Sequence, residues 1–348
     1  MKRIAVLTSG GDSPGMNAAV MEVARFSAKA GMQLIGIKHG YNGLIGKYPK
    51  VSDNWVVMSQ DTVLDIADLP GTYLRTARCE EFYLPEYQKK AVAFLRQLNV
   101  EGLVVIGGDG SYAGAQKLCN LGMPCIGIPG TIDNDLEYSE TSLGFDTAVN
   151  VCMEAVRAIR ATSRSHDRPG VVEVMGRNCG DIAMSTAMST GSEVVVVPEV
   201  QGWRVEDVAL RLISLLKRGN TRATIVVAEG AFKTMEPFDM YAFLKPHTQV
   251  FKGERITAYL FASYLKYRCG AEVRANVIGY TQRGEEPTAQ DASFAFESGH
   301  MAVELLKNGI GNEAIGVKNG RVFHMPIDKA LTIKPIFKQE IYDLINSL

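Results

Sequence analysis

Leu103-Val104-Val105-Ile106-Gly107-Gly108-Asp109-Gly110-Ser111 is an apolar run that stops at a glycine-rich turn carrying one acid. A little further on, Pro124-Cys125-Ile126-Gly127-Ile128 does the same and ends in Pro129-Gly130-Thr131-Ile132-Asp133-Asn134-Asp135. Such runs read as buried strands of a parallel sheet, with the turns at their carboxyl ends. Open α/β sheets bind their ligands at that end. Gly107, Gly108 and Gly110 leave backbone N–H groups uncovered, so a phosphate oxygen can approach them. Asp109 among them is a hard carboxylate suited to holding Mg²⁺ between phosphate oxygens. Asp133 and Asp135 around Asn134 concentrate like charge, as a site that wants a cation or a proton acceptor does. The plainer alternatives are an Asp/Asn turn and ordinary strand-to-helix punctuation.

The 348 residues allow two domains of ordinary size. With 46% hydrophobic residues and a formal net charge of −1, the composition is that of a globular protein without a nucleic-acid or membrane surface as its main partner. The 6 cysteines are scattered with no C-x-x-C pair, as small buried residues of a reducing compartment are. The N-terminal apolar run is too short for a signal peptide, so a cytoplasmic location is expected.

Ile4-Ala5-Val6-Leu7 followed by Thr8-Ser9-Gly10-Gly11-Asp12-Ser13-Pro14-Gly15-Met16-Asn17 reads as strand, glycine turn and helix, a geometry that offers free N–H groups to an anion. Tyr41, in the turn after the Leu34–Ile37 strand, reads as a ring packed on the core, with cover for a nucleotide as the alternative. Helices are expected over Leu84–Leu98, Tyr112–Leu121, Gly144 to about Ala161, Ile256–Tyr267 and Ala289–Leu306. The Ser163–Gly170 stretch is expected to break the third of these. Val171–Arg177, Glu193–Val197, Thr224–Gly230 and Val273–Gly279 read as strands of a second α/β unit, and Asn319-Gly320 as a hairpin turn. Phe232 to Gly253 carries no clear pattern. Alternation of strands and helices predicts a doubly wound parallel sheet. Five arginines (Arg78, Arg168, Arg177, Arg274, Arg283) stand at turns or strand ends, as in a protein gathering positive charge for a multiply anionic ligand. The residues by themselves therefore point to a Mg²⁺-dependent phosphoryl-transfer or phosphate-binding α/β protein.

Five motifs, in order, carry a resemblance over essentially the whole chain: Leu7–Asp12 with Pro14–Asn17, Gly107–Ser111, Pro129–Asp135, Val174–Arg177 and Gln282–Gly284. Through them the chain resembles the 6-phosphofructokinases. The resemblance implies two Rossmann-like doubly wound α/β domains with the active site in the cleft between them. A larger, nucleotide-binding domain would take residues 1–144 and about 282–332, and a smaller, sugar-phosphate domain 145–281 and about 333–348. The implied reaction is Mg²⁺-dependent transfer from ATP to the 1-hydroxyl of fructose 6-phosphate, a step of glycolysis.

In that resemblance Asp133 is the catalytic base, assisted by Arg78, Thr131 and Arg177, and Asp109 is the metal contact. Gly11, Arg78, Cys79, Gly108, Asp109, Gly110 and Ser111 lie on the nucleotide side. Thr131, Asp133, Met175, Gly176, Arg177 and Glu229 lie on the sugar side, with Arg168, Arg274, Tyr280 and Arg283 around the 6-phosphate. Arg168 and Arg274 would come from a neighbouring subunit, making the site depend on a homodimer or homotetramer. Glycine at both Gly110 and Gly130 matches the ATP-using branch, whereas Asp and Lys there resemble the pyrophosphate-using one. Tyr280 replaces a usual histidine, and Glu285-Glu286 adds negative charge near an anionic substrate. The effector pocket matches in part through Arg25, Arg160 and Glu193, while Met21 and Asn220-Thr221 depart from it. A pyrophosphate-dependent enzyme, a kinase of the wider group acting on NAD or a lipid, and a non-catalytic sugar-phosphate sensor are the alternatives.

Overall fold

The computed structural model describes residues 1–59, 63–244 and 256–347; the 245–253 part of the unpatterned stretch lies outside them. The chain divides into two compact units, Met1–Thr147 with Arg283–Ile336, and Ala148–Gln282 with Phe337–Leu348. In chain order the strands are β1 (Arg3–Thr8), β2 (Gln33–Ile37), β3 (Trp55–Met58), β4 (Leu103–Gly107), β5 (Cys125–Pro129), β6 (Gly170–Val174), β7 (Val194–Val196), β8 (Thr224–Ala228), β9 (Arg274–Val277), β10 (Glu313–Lys318) and β11 (Arg321–Pro326).

The first unit holds a 7-stranded sheet in the order β11-β10-β5-β4-β1-β2-β3. Its centre is parallel, because each apolar run is covered on both faces. In β4, Val104 and Ile106 pack with helices Met16–Lys29 and Ala289–Lys307, while Leu103 and Val105 pack with helices Pro85–Gln97 and Asp109–Asn120. The alternation is the two-residue period of a strand. Ile4, Val6, Leu7 and Leu103 are fully buried, each contributing roughly 1.5–3 kcal/mol relative to exposure.

The expectation of a parallel sheet holds at the centre and is corrected at both edges, where β2–β3 and β10–β11 pair antiparallel. Asn319 (φ 53°) and Gly320 (φ 67°) form the tight turn expected of Asn-Gly. Strand β3 has no counterpart in the sequence reading, since four residues next to a short 3₁₀ turn are too few to show a period.

The second unit has a 4-stranded parallel sheet, β7-β8-β6-β9. The helix expected to end near Ala161 runs from Phe145 to His166. Ser163 does not break it because its carbonyl accepts the closing bond from Arg168 N, and Ser165 Oγ donates back to Ala161 O at 3.2 Å. The stop comes at Asp167, whose φ of 50° turns the chain left-handed.

Candidate active site

In the first unit, adjacent parallel strands β1, β4 and β5 end together, since Leu7 is opposite Val105 and Val105 opposite Gly127. Three turns therefore emerge side by side. Ser9 N donates to Ile106 O at 2.9 Å, and Gly130 N donates to Gly107 O at 3.1 Å. A Cβ on Gly107 would stand 2.5 Å from Ser9 O, so only glycine lets these turns approach. Gly108 precedes helix Asp109–Asn120, whose start carries a partial positive charge, and Ser111 N and Tyr112 N donate to Gly108 O at 3.0 and 3.1 Å. Asp109 is exposed at this helix start, one oxygen accepting from Gly110 N at 2.6 Å. Around Gly110 there is open space on the side where a Cβ would project. A single exposed carboxylate at the start of a helix suits Mg²⁺, which keeps waters and substrate phosphates among its ligands. Among the described residues no cluster of three or more His, Cys, Asp or Glu forms a protein-only metal cage.

The acidic turn is held from beneath. Asp133 N donates to Thr131 Oγ1 at 3.2 Å, and Ser142 Oγ donates to Thr131 O at 2.7 Å. Asn134, at φ 54°, reverses the backbone between the two acids. A Cβ on Gly108 would lie 3.8 Å from that of Thr131, so the two turns border one space. The buried Asp291 then fastens the chain leaving this turn, accepting from Gly144 N at 2.8 Å and from Thr147 N and Oγ1 at 2.9 and 2.5 Å. Burial pushes its carboxyl above the ordinary value, against the pull of these donors.

Arg78 and Cys79 reach the same turns along an extended segment. Thr8 Oγ1 donates to Arg75 O at 2.9 Å, Thr76 Oγ1 to Gly10 O at 2.8 Å, and Asn42 Nδ2 to Arg78 O at 3.3 Å. The Arg78 side chain is exposed, and the Cys79 thiol is pushed up mainly by burial and so stays protonated. Tyr41 is buried, stacked on Phe82, and donates to Ser111 O, so it is a core ring. Arg283 does not stand apart from the nucleotide-side turns. Its guanidinium donates to Asp12 O and lies 3.0 Å from where a Cβ on Gly11 would be.

In the second unit, a pocket of about 170 Å³ lies at the carboxyl ends of β6, β8 and β9. It brings together Met175, Glu229 and Tyr280 with Glu173 and Gly279. Arg177 N donates to Glu229 Oε1 at 3.0 Å, and Gly176 (φ 124°) makes the bend between Met175 and Arg177. The buried Gln282 accepts from Met175 N and from Cys152 Sγ, both at 3.1 Å, which fixes the base of that bend. Cys152, pushed up to about 12 by burial, remains a neutral donor.

Arg168 and Arg274 are not at this pocket. Register pairs Arg274 with Gly170, at the amino ends of β9 and β6, one strand length of roughly 13–17 Å from the pocket. Arg274 is ion-paired with Glu272 at 2.9 Å and is largely exposed. Of the residues matching an effector pocket, Arg25 is paired with Glu22 at 2.8 Å. Arg160 is held by Thr190 O, by Gly191 O at 3.0 Å and by Glu193 at 3.7 Å. Both Glu193 oxygens are also engaged, by Asn220 Nδ2 at 2.6 Å and Thr224 N at 2.8 Å.

The sequence reading gave no role to Asp291, Gln282, Asp12 or Ser142. Asp12 and Gln282 sat inside quoted motifs, but Asp291 lies in a helix where only its three donors reveal it.

A phosphate-binding α/β protein of the phosphoryl-transfer kind is thus the class that these turns define. The Phosphofructokinase family model matches residues 3–306. The chain is 43% identical over 348 residues to the ATP-dependent 6-phosphofructokinase of Alkaliphilus metalliredigens (strain QYMF), spanning all of this chain and 99% of that one. Identity to the ATP-dependent 6-phosphofructokinase of Clostridium botulinum (strain Hall) is 41% over 350 residues, spanning 100% and 99%. Among solved structures, phosphofructokinase from Saccharomyces cerevisiae superposes with a TM-score of 0.81 at 29% identity, over 95% of this chain and 45% of the yeast chain. The pyrophosphate-dependent phosphofructokinase from Marinobacter aquaeolei superposes with a TM-score of 0.79 at 19% identity, over 99% and 91%, a likeness of fold alone. The chain belongs to the phosphofructokinase family.

Proposed function

We propose that the protein transfers the terminal phosphoryl group of ATP to the 1-hydroxyl of fructose 6-phosphate, giving fructose 1,6-bisphosphate and ADP in glycolysis. The observation that carries this reading is the placement of Asp109 and Asp133 on the carboxyl-end turns of adjacent strands, each beside a glycine turn open to phosphate. Relatives named ATP-dependent 6-phosphofructokinase across the full length support it.

Phosphoryl transfer needs positioning and charge stabilisation more than covalent chemistry from the protein. Gly108, Gly110 and Ser111 at the start of helix Asp109–Asn120, with Gly11 and Arg78, bind the donor phosphates, and Cys79 borders the nucleotide. Asp109 holds Mg²⁺, which when bound neutralises charge on the phosphates being parted. Asp133 takes the proton of the attacking hydroxyl, and Thr131, whose hydroxyl accepts from Asp133 N, keeps that carboxylate's turn in place. Arg177 stabilises the transferring group, and Met175, Gly176, Glu229 and Tyr280 orient the sugar. Arg283 binds anionic charge from its place beside Gly11 and Asp12.

Arg168 and Arg274, a strand length away from their own pocket, serve the 6-phosphate of a neighbouring copy, so the enzyme is a homo-oligomer. A cytoplasmic location and the absence of nucleic-acid or membrane partners belong to the same reading. No helix among the described residues is long and apolar enough to cross a membrane.

Glycine at positions 110 and 130 favours ATP over pyrophosphate. Replacing Asp133 by Asn tests the mechanism: turnover falls about 10²–10⁴-fold, the range of general-base catalysis, while the fructose 6-phosphate Kd stays within a few-fold. Turnover preserved within a few-fold removes Asp133 as the base.

A further inference from the structure

A second cavity, of about 390 Å³, opens in the first unit beyond the carboxyl end of β2 and uses none of the residues placed above in donor or sugar binding. It is lined by Lys38, His39, Tyr48, Asp53, Tyr73 and Arg75. Three of the six are bases, against one carboxylate. Neither Lys38 nor Arg75 has a carboxylate within ion-pair distance among the described residues. The volume falls in the range of small-molecule sites.

Its walls are tied together rather than loosely apposed. Lys38 N donates to Asn54 O and His39 N to Leu74 O, both at 2.8 Å, and Lys38 Nζ donates to Ser52 O at 2.8 Å. The His39 ring lies against Tyr48 with centroids 4.3 Å apart. Two lining residues, His39 (φ 58°) and Arg75 (φ 59°), hold left-handed backbone that side-chain-bearing residues adopt at a cost. Glycine would relieve that cost at Arg75. The arginine is instead held there with its guanidinium exposed at the cavity. The His39 imidazole is held below its ordinary pKa by burial first, then by Arg75 and Lys38, with Asp53 acting in the opposite direction. The cavity therefore gathers the two cations Lys38 and Arg75 against the single carboxylate of Asp53.

We propose that the cavity lined by Lys38, His39 and Arg75 is a binding site for a small phosphate-bearing anion, separate from the phosphates of the reaction. Arg75 supplies a planar guanidinium to the phosphate oxygens, Lys38 a second cation, and the His39 ring nitrogen a hydrogen bond. Asp53 and the Tyr48 and Tyr73 hydroxyls remain for hydroxyl or N–H groups on the rest of the ligand.

The site borders the donor turn without entering it. Arg75 O accepts from Thr8 Oγ1, and the next residue, Thr76, is bonded to Gly10 O.

His39 is itself the reporter. The chain has 5 histidines, so the imidazole C–H signals are resolvable, and His39→Gln identifies the one that belongs to this cavity. Inorganic phosphate is titrated into the full-length protein, and the His39 signal and its pH midpoint are followed. Binding shifts the signal saturably and raises the midpoint, because an anion beside the ring favours its protonated form. Arg75→Gly, which relaxes the backbone, weakens the phosphate response about tenfold or more, and Lys38→Gln weakens it in a variant with an unaltered backbone. A nucleoside monophosphate and glycerol 3-phosphate, titrated in parallel, tell whether the remainder of the ligand is a base or a short polyol. A His39 signal that phosphate does not move overturns the proposal. So does an equal response in wild type, Arg75→Gly and Lys38→Gln, which would mean diffuse screening alone.

Discussion

Gly110→Asp separates fold from donor recognition. Gly110 is the second residue of helix Asp109–Asn120, and nothing lies within 4 Å of where its Cβ would be. The substitution meets no steric cost, and an acid in the first turn of a helix in place of glycine stabilises it by roughly 0.5–1 kcal/mol. The thermal midpoint therefore stays equal or rises. The new carboxylate also projects into the space in which the proposed donor phosphates would lie. At about 5 Å from a phosphate charge, an effective dielectric of ~20 gives about 3 kcal/mol of repulsion, and solvent at this exposed turn reduces it to about half or more of that. Apparent ATP affinity is expected to fall roughly 10- to 100-fold. Pyrophosphate, which has no α-phosphate or nucleoside beyond the reacting pair, is expected to lose less. Steady-state kcat/KM for each donor, measured beside a thermal melt, reads both effects. An unchanged kcat/KM for ATP in a folded Gly110→Asp protein would refute the placement of the donor phosphates at this turn.

Asp291→Ala removes three hydrogen bonds from a buried carboxylate and costs roughly 3–5 kcal/mol, read by denaturant unfolding. Because burial raises the Asp291 carboxyl, the folded state holds its proton to higher pH than the unfolded state does. That contribution is present at low pH and fades as pH rises through the folded value, so the stability advantage of wild type over Asp291→Asn grows on acidification. Gly230→Ala would press a methyl against Arg177 O, with Pro198 Cβ 3.3 Å away. It is expected to cost about 1–3 kcal/mol and to raise the KM for fructose 6-phosphate more than that for ATP, in assays varying one substrate at a time.

The strands that carry the site were legible because β1, β4, β5 and β8 are buried on both faces, so their apolar runs are continuous and end at or next to a glycine turn. Edge strand β3 has an apolar run too, Trp55-Val56-Val57-Met58, but no glycine turn follows it and Val57 is exposed, so nothing marked it as a buried strand. Ser163, a helix breaker by propensity, stayed helical because its carbonyl supplies the closing bond and Asp167 takes the left-handed turn. Asp109 and Asp133, at strand ends, stood out for the same reason as the strands, whereas Met175 entered only through the family resemblance. Asp291 was not, since an acid among the polar residues of a helix looks like solvated surface until its donors, far away in sequence, are seen. The placement of Arg283 against Gly11 and Asp12 likewise depends on tertiary contact across 271 positions of sequence.

The most direct test is formation of fructose 1,6-bisphosphate by the purified protein with Mg²⁺, fructose 6-phosphate and either ATP or pyrophosphate. Turnover with ATP, and little with pyrophosphate, is the result expected. Turnover with pyrophosphate alone would contradict the donor assignment made from Gly110 and Gly130. No product with either donor, from a folded oligomer that still binds fructose 6-phosphate, would contradict catalysis itself and leave a sugar-phosphate sensor.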